Sequence, residues 1–350
     1  MPISAADAVG PAFQHAKAQL LRPFRMGQWL RLAVVGLLAG ELGSSGGCNF
    51  KYPMNTQHRA SQQAFLAASW PTEWTNHPAL FAIAIAAAVA ISLALMVIFT
   101  YIGSVMRFIL FDSIVSRECH IRRGWAARRR PGFRLFCWQL LLMLASFAAL
   151  LIVIGIPVAY AWTAGWFAQA REHVVRLLMG GLVLFFLFFV LLTVIAVMRV
   201  MTKDFVVPQM ALEDIGAMEG WRRLLVWLKA DKGGHAGYIG MKIVLAIGAA
   251  IALAIVDVIA LLILLIPFGG VGIIVVLAGK AAGWSWDLYT ITLAVVSGCV
   301  VLAILIFVFS LIAVPMIVFF PAYSIHFFAQ RYPPLAAVLW PQPPTPSTSG

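Results

Sequence analysis

Long apolar runs constrain this chain more than any other feature. A helix crosses the hydrocarbon core of a bilayer with about 20 mostly apolar residues, and five runs reach that length. Hydrophobic residues make up 62% of the chain and charged residues 11%, whereas soluble domains are about half apolar and a quarter charged. The excess predicts an integral membrane protein. The five runs are 79–106, 136–162, 177–200, 241–267 and 288–320.

A sixth run, 27–43, is marginal, because its uninterrupted apolar core extends only from Leu32 to Gly40. If it crosses the membrane from a cytoplasmic N-terminus, twenty of the 25 lysines and arginines lie on the cytoplasmic side, as the positive-inside rule requires. We therefore predict an all-α, polytopic membrane helix bundle of about six transmembrane helices, with both termini in the cytoplasm. It forms one membrane domain over 1–340, followed by a disordered, proline-rich tail at 341–350.

Two further segments have the pattern of amphipathic helices that lie in the headgroup region. The stronger covers 209–230 and the weaker covers 12–30. The alternative is that each helix packs beneath the bundle. The apolar stripe of the stronger segment consists of Met218, Trp221, Leu224, Leu225 and Leu228, and its polar side carries Glu219, Arg222 and Arg223.

A short motif occurs twice, as VMRFILFDSIV at 105–115 and as VMRVMTKDFVV at 197–207. In each copy a long apolar run precedes the motif, and a Gly-Trp pair, basic residues and another apolar run follow it. This order predicts a parallel internal repeat, whose halves are related by an axis along the membrane normal. Both copies place an arginine and an aspartate five residues apart, namely Arg107 with Asp112 and Arg199 with Asp204.

Residues five apart on a helix point about 140° away from each other, so these pairs do not form within one helix. A two-fold arrangement offers crossed partners, Arg107 with Asp204 and Arg199 with Asp112. The alternative is that the arginines extend to lipid headgroups and the aspartates cap the next helix. Both interpretations make these four residues candidate polar sites.

Asp257 is the acid that lies deepest in an apolar run. An acid at mid-membrane costs about 2.5–3.5 kcal/mol on insertion scales, so its side chain should face the bundle or water. One interpretation is a proton-linked or substrate-linked acid in a transport pathway. The other is a protonated or hydrogen-bonded carboxyl group that joins two helices.

Basic residues are dense in the connection after the second run. Anionic headgroups attract such residues by about 1 kcal/mol each near the surface, so we expect lipid contact, or contact with a membrane protein partner, rather than nucleic acid. The expected headgroup contacts are Arg122, Arg123, Arg128, Arg129, Arg130, Arg222 and Arg223.

Three stretches of the chain, 22–41, 107–125 and 204–248, resemble bacterial multi-pass proteins known as glycerophosphoryl diester phosphodiesterase membrane-domain proteins. The resemblance implies the bacterial inner membrane and a membrane region that is not itself catalytic. His58-Arg59 echoes the start of that enzyme's metal site, but no paired carboxylates follow it, so no catalytic residue carries over.

Motifs for catalysis or cofactor binding are weak throughout the sequence. The chain has no P-loop and no HExxH pair, and the G-x-S-x-G match at 43–47 lacks the strand that a nucleophile elbow needs. We therefore expect a non-enzymatic membrane protein without a cofactor, which organises lipid or assists a partner. A permease that uses Asp257 and the Arg/Asp pairs is the first alternative, and an intramembrane lipid hydrolase is the second.

Overall fold

The computed structural model describes residues 4–41, 78–167, 171–281, 283 and 288–341, and these contain helices and no β-strand. The predicted tail therefore lies outside the described residues, apart from position 341. The helices are α1 Val9–Leu21, α2 Met26–Leu38, α3 Pro78–Ser116, α4 Ile121–Leu150, α5 Ile156–Thr163, α6 Val174–Met201, α7 Val207–Glu213, α8 Ala217–Ala230, α9 Lys232–Ala281, α10 Leu288–Ile312, α11 Val314–Ala329 and α12 Pro333–Leu339, with π-helical turns at Leu151–Gly155 and Thr202–Val206.

Within the described part of the chain, five stretches of helix are long and apolar enough to cross a membrane, which confirms the all-α membrane class. Their most apolar windows are at most 6% buried within the protein. Side chains of this kind require a hydrocarbon environment, because water would solvate them poorly. The five stretches are Ala82–Ser116, Ile121–Thr163, Val174–Glu213, Lys232–Gly279 and Tyr289–Ile312.

The marginal first run forms α2, which has 13 residues and is therefore about 20 Å long. Its start is fixed beside the end of α3, where the Gln28 amide donates to the Arg117 carbonyl oxygen at 2.7 Å. Its end meets α3 at Gly103, where a Cβ atom would lie 2.9 Å from the Leu38 carbonyl oxygen. Helix α2 thus lies along the C-terminal third of α3 and is shorter than a span, and 42–43 are outside the described residues.

Several helices begin or end outside the predicted spans, and two of these differences involve proline. The run expected to end at 267 continues through Pro267 to Ala281, as proline is tolerated in apolar helices whose neighbours satisfy the freed backbone group. The run expected over 288–320 ends at Ile312 instead. Pro315 occupies the first turn of α11, where its missing N–H is no loss.

The buried core lies at one end of the long helices. Helix α11 is its centre, since most of its side chains are buried and α1, α2 and α3 pack against it. Aromatic rings fill the space between α11 and the start of α9: Tyr238 stacks on Tyr323 with centroids 5.2 Å apart, and Phe205 meets Tyr238 at 5.1 Å. The core therefore fixes the end of the molecule where the charged motifs lie.

The amphipathic helix α8 packs beneath this core and also exposes part of its apolar stripe. Gly220 lies so close to Val206 that a Cβ atom would stand 2.8 Å from the valine side chain. Leu224 is fully buried, whereas Met218 and Leu225 are exposed. Packing beneath the core therefore applies to one part of the stripe, and the headgroup location of the exposed part stays a prediction.

Candidate functional site

The aspartate of the second motif is the centre of a buried ionic cluster. Asp204 lies in the π-helical turn at the end of α6. Its carboxylate accepts a hydrogen bond from the Tyr238 hydroxyl at 2.9 Å and forms an ion pair with the Lys242 ammonium group. The Asp204 side chain is 1% exposed and that of Lys242 is 13% exposed. A charge buried this deeply needs such a partner, because desolvation of an unpaired ion costs several kcal/mol.

A second buried pair lies beside the first. Lys203 forms an ion pair with Glu41, which follows α2 and is 3% exposed. Arg107 donates from Nε to the Ala39 carbonyl oxygen at 3.4 Å. Glu41, Arg107, Lys203 and Asp204 line a cavity of about 30 Å³, which has room for water. Charged residues at the ends of α2 and α6 and on α3 therefore line the same small cavity.

The predicted crossed pairing of the motifs is wrong. Asp112 pairs with Arg128 through two hydrogen bonds of 2.7 Å each, whereas Arg199 is exposed. Asp204 pairs with Lys242, although Arg107 lines the same cavity. Each aspartate has a basic partner on a later helix, because that helix returns along the motif and presents its side chain directly.

The capping alternative for the two aspartates is also wrong. Asp112 lies within α3, which continues to Ser116, and Asp204 lies within continuous helical backbone between α6 and α7. Neither residue precedes a helix, which is where a side chain caps free backbone N–H groups.

Four arginines on the first half of α4 form a basic face, and this name refers to Arg122, Arg123, Arg129 and Arg130. All four are exposed, and none has a hydrogen bond or ion pair with the residues that the structure describes. Side chains of this kind are available to an external anion. The prediction of headgroup contact is therefore structurally compatible at these four positions.

The other three predicted headgroup contacts have partners within the protein. Arg128 binds Asp112 and also donates to the Ala211 carbonyl oxygen at 2.8 Å, so it joins α3, α4 and α7. Arg222 and Arg223 both bind Glu219, and the hydrogen bond from Arg223 lowers the pKa of Glu219 below its usual value. The pairs of Glu219 with Arg222 and Arg223 have the i+3 and i+4 spacing that favours ion pairs within a helix, whereas the pair of Arg128 with Asp112 depends on the packing of α4 against α3.

Asp257 lies far from the ionic cluster along α9. Its Oδ1 atom is buried and has no hydrogen-bond partner among the described residues. The side chain is partly buried, and it follows Lys242 by about 22 Å along the helix. The structure does not join Asp257 to the charged motifs.

The sequence analysis missed three members of the cluster, namely Glu41, Lys203 and Tyr238. Lys242 is one of the twenty basic residues that the sequence analysis counted as cytoplasmic, although it lies in an apolar helix. The useful signal was the position of Glu41 directly after an apolar run, since an acid at that place requires a partner.

Comparison with known proteins identifies a family whose function is unknown. The model of a family of unknown function, DUF7544, matches residues 3–338. No curated protein and no solved structure matches the chain. The resemblance to phosphodiesterase membrane-domain proteins stays a prediction, because the matched family carries no such description.

Proposed function

The chain belongs to the DUF7544 family, whose function is unknown, and we propose that it is a non-enzymatic membrane protein that gathers anionic lipid. The observation that carries this proposal is the basic face of α4. Its four guanidinium groups are exposed and unpartnered among the described residues, whereas the acids of the ionic cluster are paired inside the protein. Exposed arginines beside an apolar span attract lipid phosphates.

The proposal places both termini and the basic face on the cytoplasmic side of a bacterial inner membrane. Contacts between the ends of the chain support a common side for both: the Tyr323 hydroxyl donates to the Ala5 carbonyl oxygen at 3.1 Å, and the rings of His15 and His326 are 5.4 Å apart. The positive-inside rule then favours the cytoplasm for this end.

The two motifs also support the proposed parallel repeat. In both copies the aspartate pairs with a basic residue on a following transmembrane helix, Arg128 on α4 and Lys242 on α9. The glycines of the two Gly-Trp pairs, Gly124 and Gly220, both pack closely on an earlier helical segment. Close packing at two equivalent glycines is an expected result of duplication, whereas the basic partners differ in position: Arg128 follows its glycine by 4 residues and Lys242 follows its own by 22.

The test is lipid analysis of the full chain extracted from native membranes into polymer discs that retain lipid. We expect anionic lipid to be enriched around the wild-type protein. A variant with all four basic-face arginines changed to glutamine should lose that enrichment, and the matched variant with four lysines should keep most of it, because charge is conserved. Equal lipid composition in the wild-type and glutamine discs would refute the proposal.

A permease is the second candidate, and Asp257 favours it through its buried, unpartnered Oδ1 atom. An acid in this state can bind a proton or a substrate cation within the bilayer. Substitution of Asp257 with asparagine keeps the shape and removes the charge. If transport exists, this variant should abolish proton uptake into vesicles without lowering protein level, and unchanged uptake would exclude the carboxylate from the pathway.

A further inference from the structure

A groove of about 440 Å³ opens between α3 and α4 beside part of the basic face. Two of its lining residues, Arg129 and Arg130, belong to the basic face, whereas Arg122 and Arg123 lie outside it. The groove therefore distinguishes one half of the basic face from the other. The lining residues are Tyr101, Arg129, Arg130, Phe133 and Arg134.

The groove changes from cationic to aromatic in the direction of the bilayer. Helix α4 returns along α3, since Gly124 packs on Ile109 and Gly132 packs on Val105. Positions 129 and 130 precede Phe133 on this path, and the most apolar part of α4 begins just beyond it. A ligand that extends from Arg129 and Arg130 toward the apolar part of α4 would thus meet Phe133 and Tyr101, with Arg134 beside Phe133.

Aromatic rings form the apolar side of the groove. The Tyr101 ring meets Phe133 edge to face with centroids 6.5 Å apart, and it meets Phe136 at 5.8 Å. Trp125 contacts the same tyrosine at 6.2 Å. Aromatic side chains at this depth are typical of the membrane interface, where they contact lipid below the headgroup.

The cationic side combines one anchored arginine with two available ones. Arg134 donates from Nη1 to the Asp214 carbonyl oxygen at 2.6 Å and to its carboxylate at 3.1 Å, so its position is fixed and its charge is partly neutralised. Arg129 and Arg130 have no such partner among the described residues. Two guanidinium groups can bind the oxygens of one phosphodiester, because each presents a planar fork of donors.

We infer that this groove is a binding site for a single anionic glycerophospholipid. The phosphodiester binds Arg129 and Arg130, and the glycerol backbone and the start of an acyl chain lie against Tyr101 and Phe133. A lipid fits better than a soluble phosphate, since the aromatic end opens toward the hydrocarbon layer. This inference rests on the proposed function and adds a defined site to it.

The test is native mass spectrometry of the full chain, reconstituted with phosphatidylglycerol in excess phosphatidylcholine and then released from detergent. The wild-type protein should retain one phosphatidylglycerol molecule more strongly than any further lipid. The double variant R129Q/R130Q should lose about tenfold in occupancy of that first molecule. The matched control R122Q/R123Q removes the same charge from the same helix outside the groove, and it should retain the first molecule.

Two further arms test the apolar half of the site. F133A should lower occupancy several-fold, and Phe133 is 55% exposed, so the substitution leaves the core intact. Glycerol phosphate should fail to displace the lipid, and displacement would show that the site recognises a soluble phosphate. Equal occupancy in R129Q/R130Q and R122Q/R123Q would overturn the inference.

The outcomes separate this site from the proposed function. If both double variants lose anionic lipid to the same degree, the basic face attracts lipid without a defined binding site, and the inference of a site in the groove is wrong. If neither double variant loses it, the groove is wrong, and retention by the variant with four glutamines as well would refute the proposed function. Circular dichroism of each variant should match the wild type, because the four arginines contact no described partner.

Discussion

The buried pair of Asp204 and Lys242 gives the sharpest test of the ionic cluster. Asp204→Ala leaves the Lys242 ammonium group without a counter-ion at 13% exposure, and it leaves the Tyr238 hydroxyl without its acceptor. Removal of one partner from a buried ion pair costs about 3–5 kcal/mol. Lys242→Met should cost somewhat less, because Tyr238 still donates to the carboxylate.

The double variant D204A/K242M removes both charges, so it should cost less than the sum of the single variants. Contacting residues couple by about 0.5–3 kcal/mol, and we expect about 2 kcal/mol or more for this buried pair. Arg107 lines the same cavity without a hydrogen bond or ion pair to Asp204, so the matched cycle of D204A with R107M should give a coupling energy smaller than that for Lys242.

The assay is reversible unfolding of the purified protein by sodium dodecyl sulfate in mixed micelles, followed by circular dichroism. Six proteins are compared: the wild type, three single variants and two double variants. A coupling energy for Arg107 equal to or larger than that for Lys242 would refute the assigned pairing and restore the crossed arrangement.

Three other predictions concern stability and use the same assay. G132A should lower the free energy of unfolding by about 1–3 kcal/mol, since its Cβ atom would lie 2.6 Å from the Val105 side chain. The control G180A should be neutral or stabilising, because its Cβ atom would meet nothing within 4 Å. Equal losses of stability in the two variants would contradict the close contact of α4 with α3. R128K keeps the charge but loses one of two hydrogen bonds to a carboxylate, so it should cost about 1–2 kcal/mol, and no loss would show that the pair is not structural. Burial, with His15 nearby, lowers the pKa of His326 to about 4. The free energy of unfolding should therefore be unaffected by this histidine above about pH 6.5 and should fall by about 3 kcal/mol as the pH drops to 4. H326F should remove most of this pH dependence, and an unchanged pH dependence would exclude the histidine as its source.

Hydropathy predicted the membrane class and the position of most long helices, because a bilayer demands long apolar segments. Hydropathy did not predict where the helices begin and end, because the local backbone determines those positions. Pro267 lies within a helix, whereas Pro315 lies in the first turn of a new one. Both prolines have apolar residues on either side, so hydropathy does not distinguish them. Helix α2 ends just before Gly40, whose φ of 75° is a local backbone feature that hydropathy does not represent.

Motif spacing found the charged residues but not their partners. The i+5 argument correctly excluded a pair within one helix, and Asp112 and Asp204 both bind residues on other helices. The choice of Arg128 and Lys242 over the crossed arginines depends on how the helices return along each other. A single sequence contains no direct information about that packing.

The sequence predicted seven arginines as headgroup contacts, and in the structure four of them, the basic face, are exposed without a partner among the described residues. The difference arises because Asp112, Glu213 and Glu219 neutralise the other three within the protein. Glu219 lies at the i+3 and i+4 spacing that favours helix ion pairs, whereas Asp112 and Glu213 bind arginines on other helices, which a single sequence does not show. Exposure and partner geometry therefore decide which arginines can bind a lipid.

The most direct measurement of anionic lipid binding is electron paramagnetic resonance of spin-labelled lipids around the reconstituted full chain. We expect phosphatidylglycerol to associate several-fold more strongly than phosphatidylcholine at low salt, with the preference falling as salt screens the arginines. The variant with four glutamines on the basic face should show little preference at any salt concentration. Equal association of both lipids with the wild-type protein at low salt would contradict the proposed function.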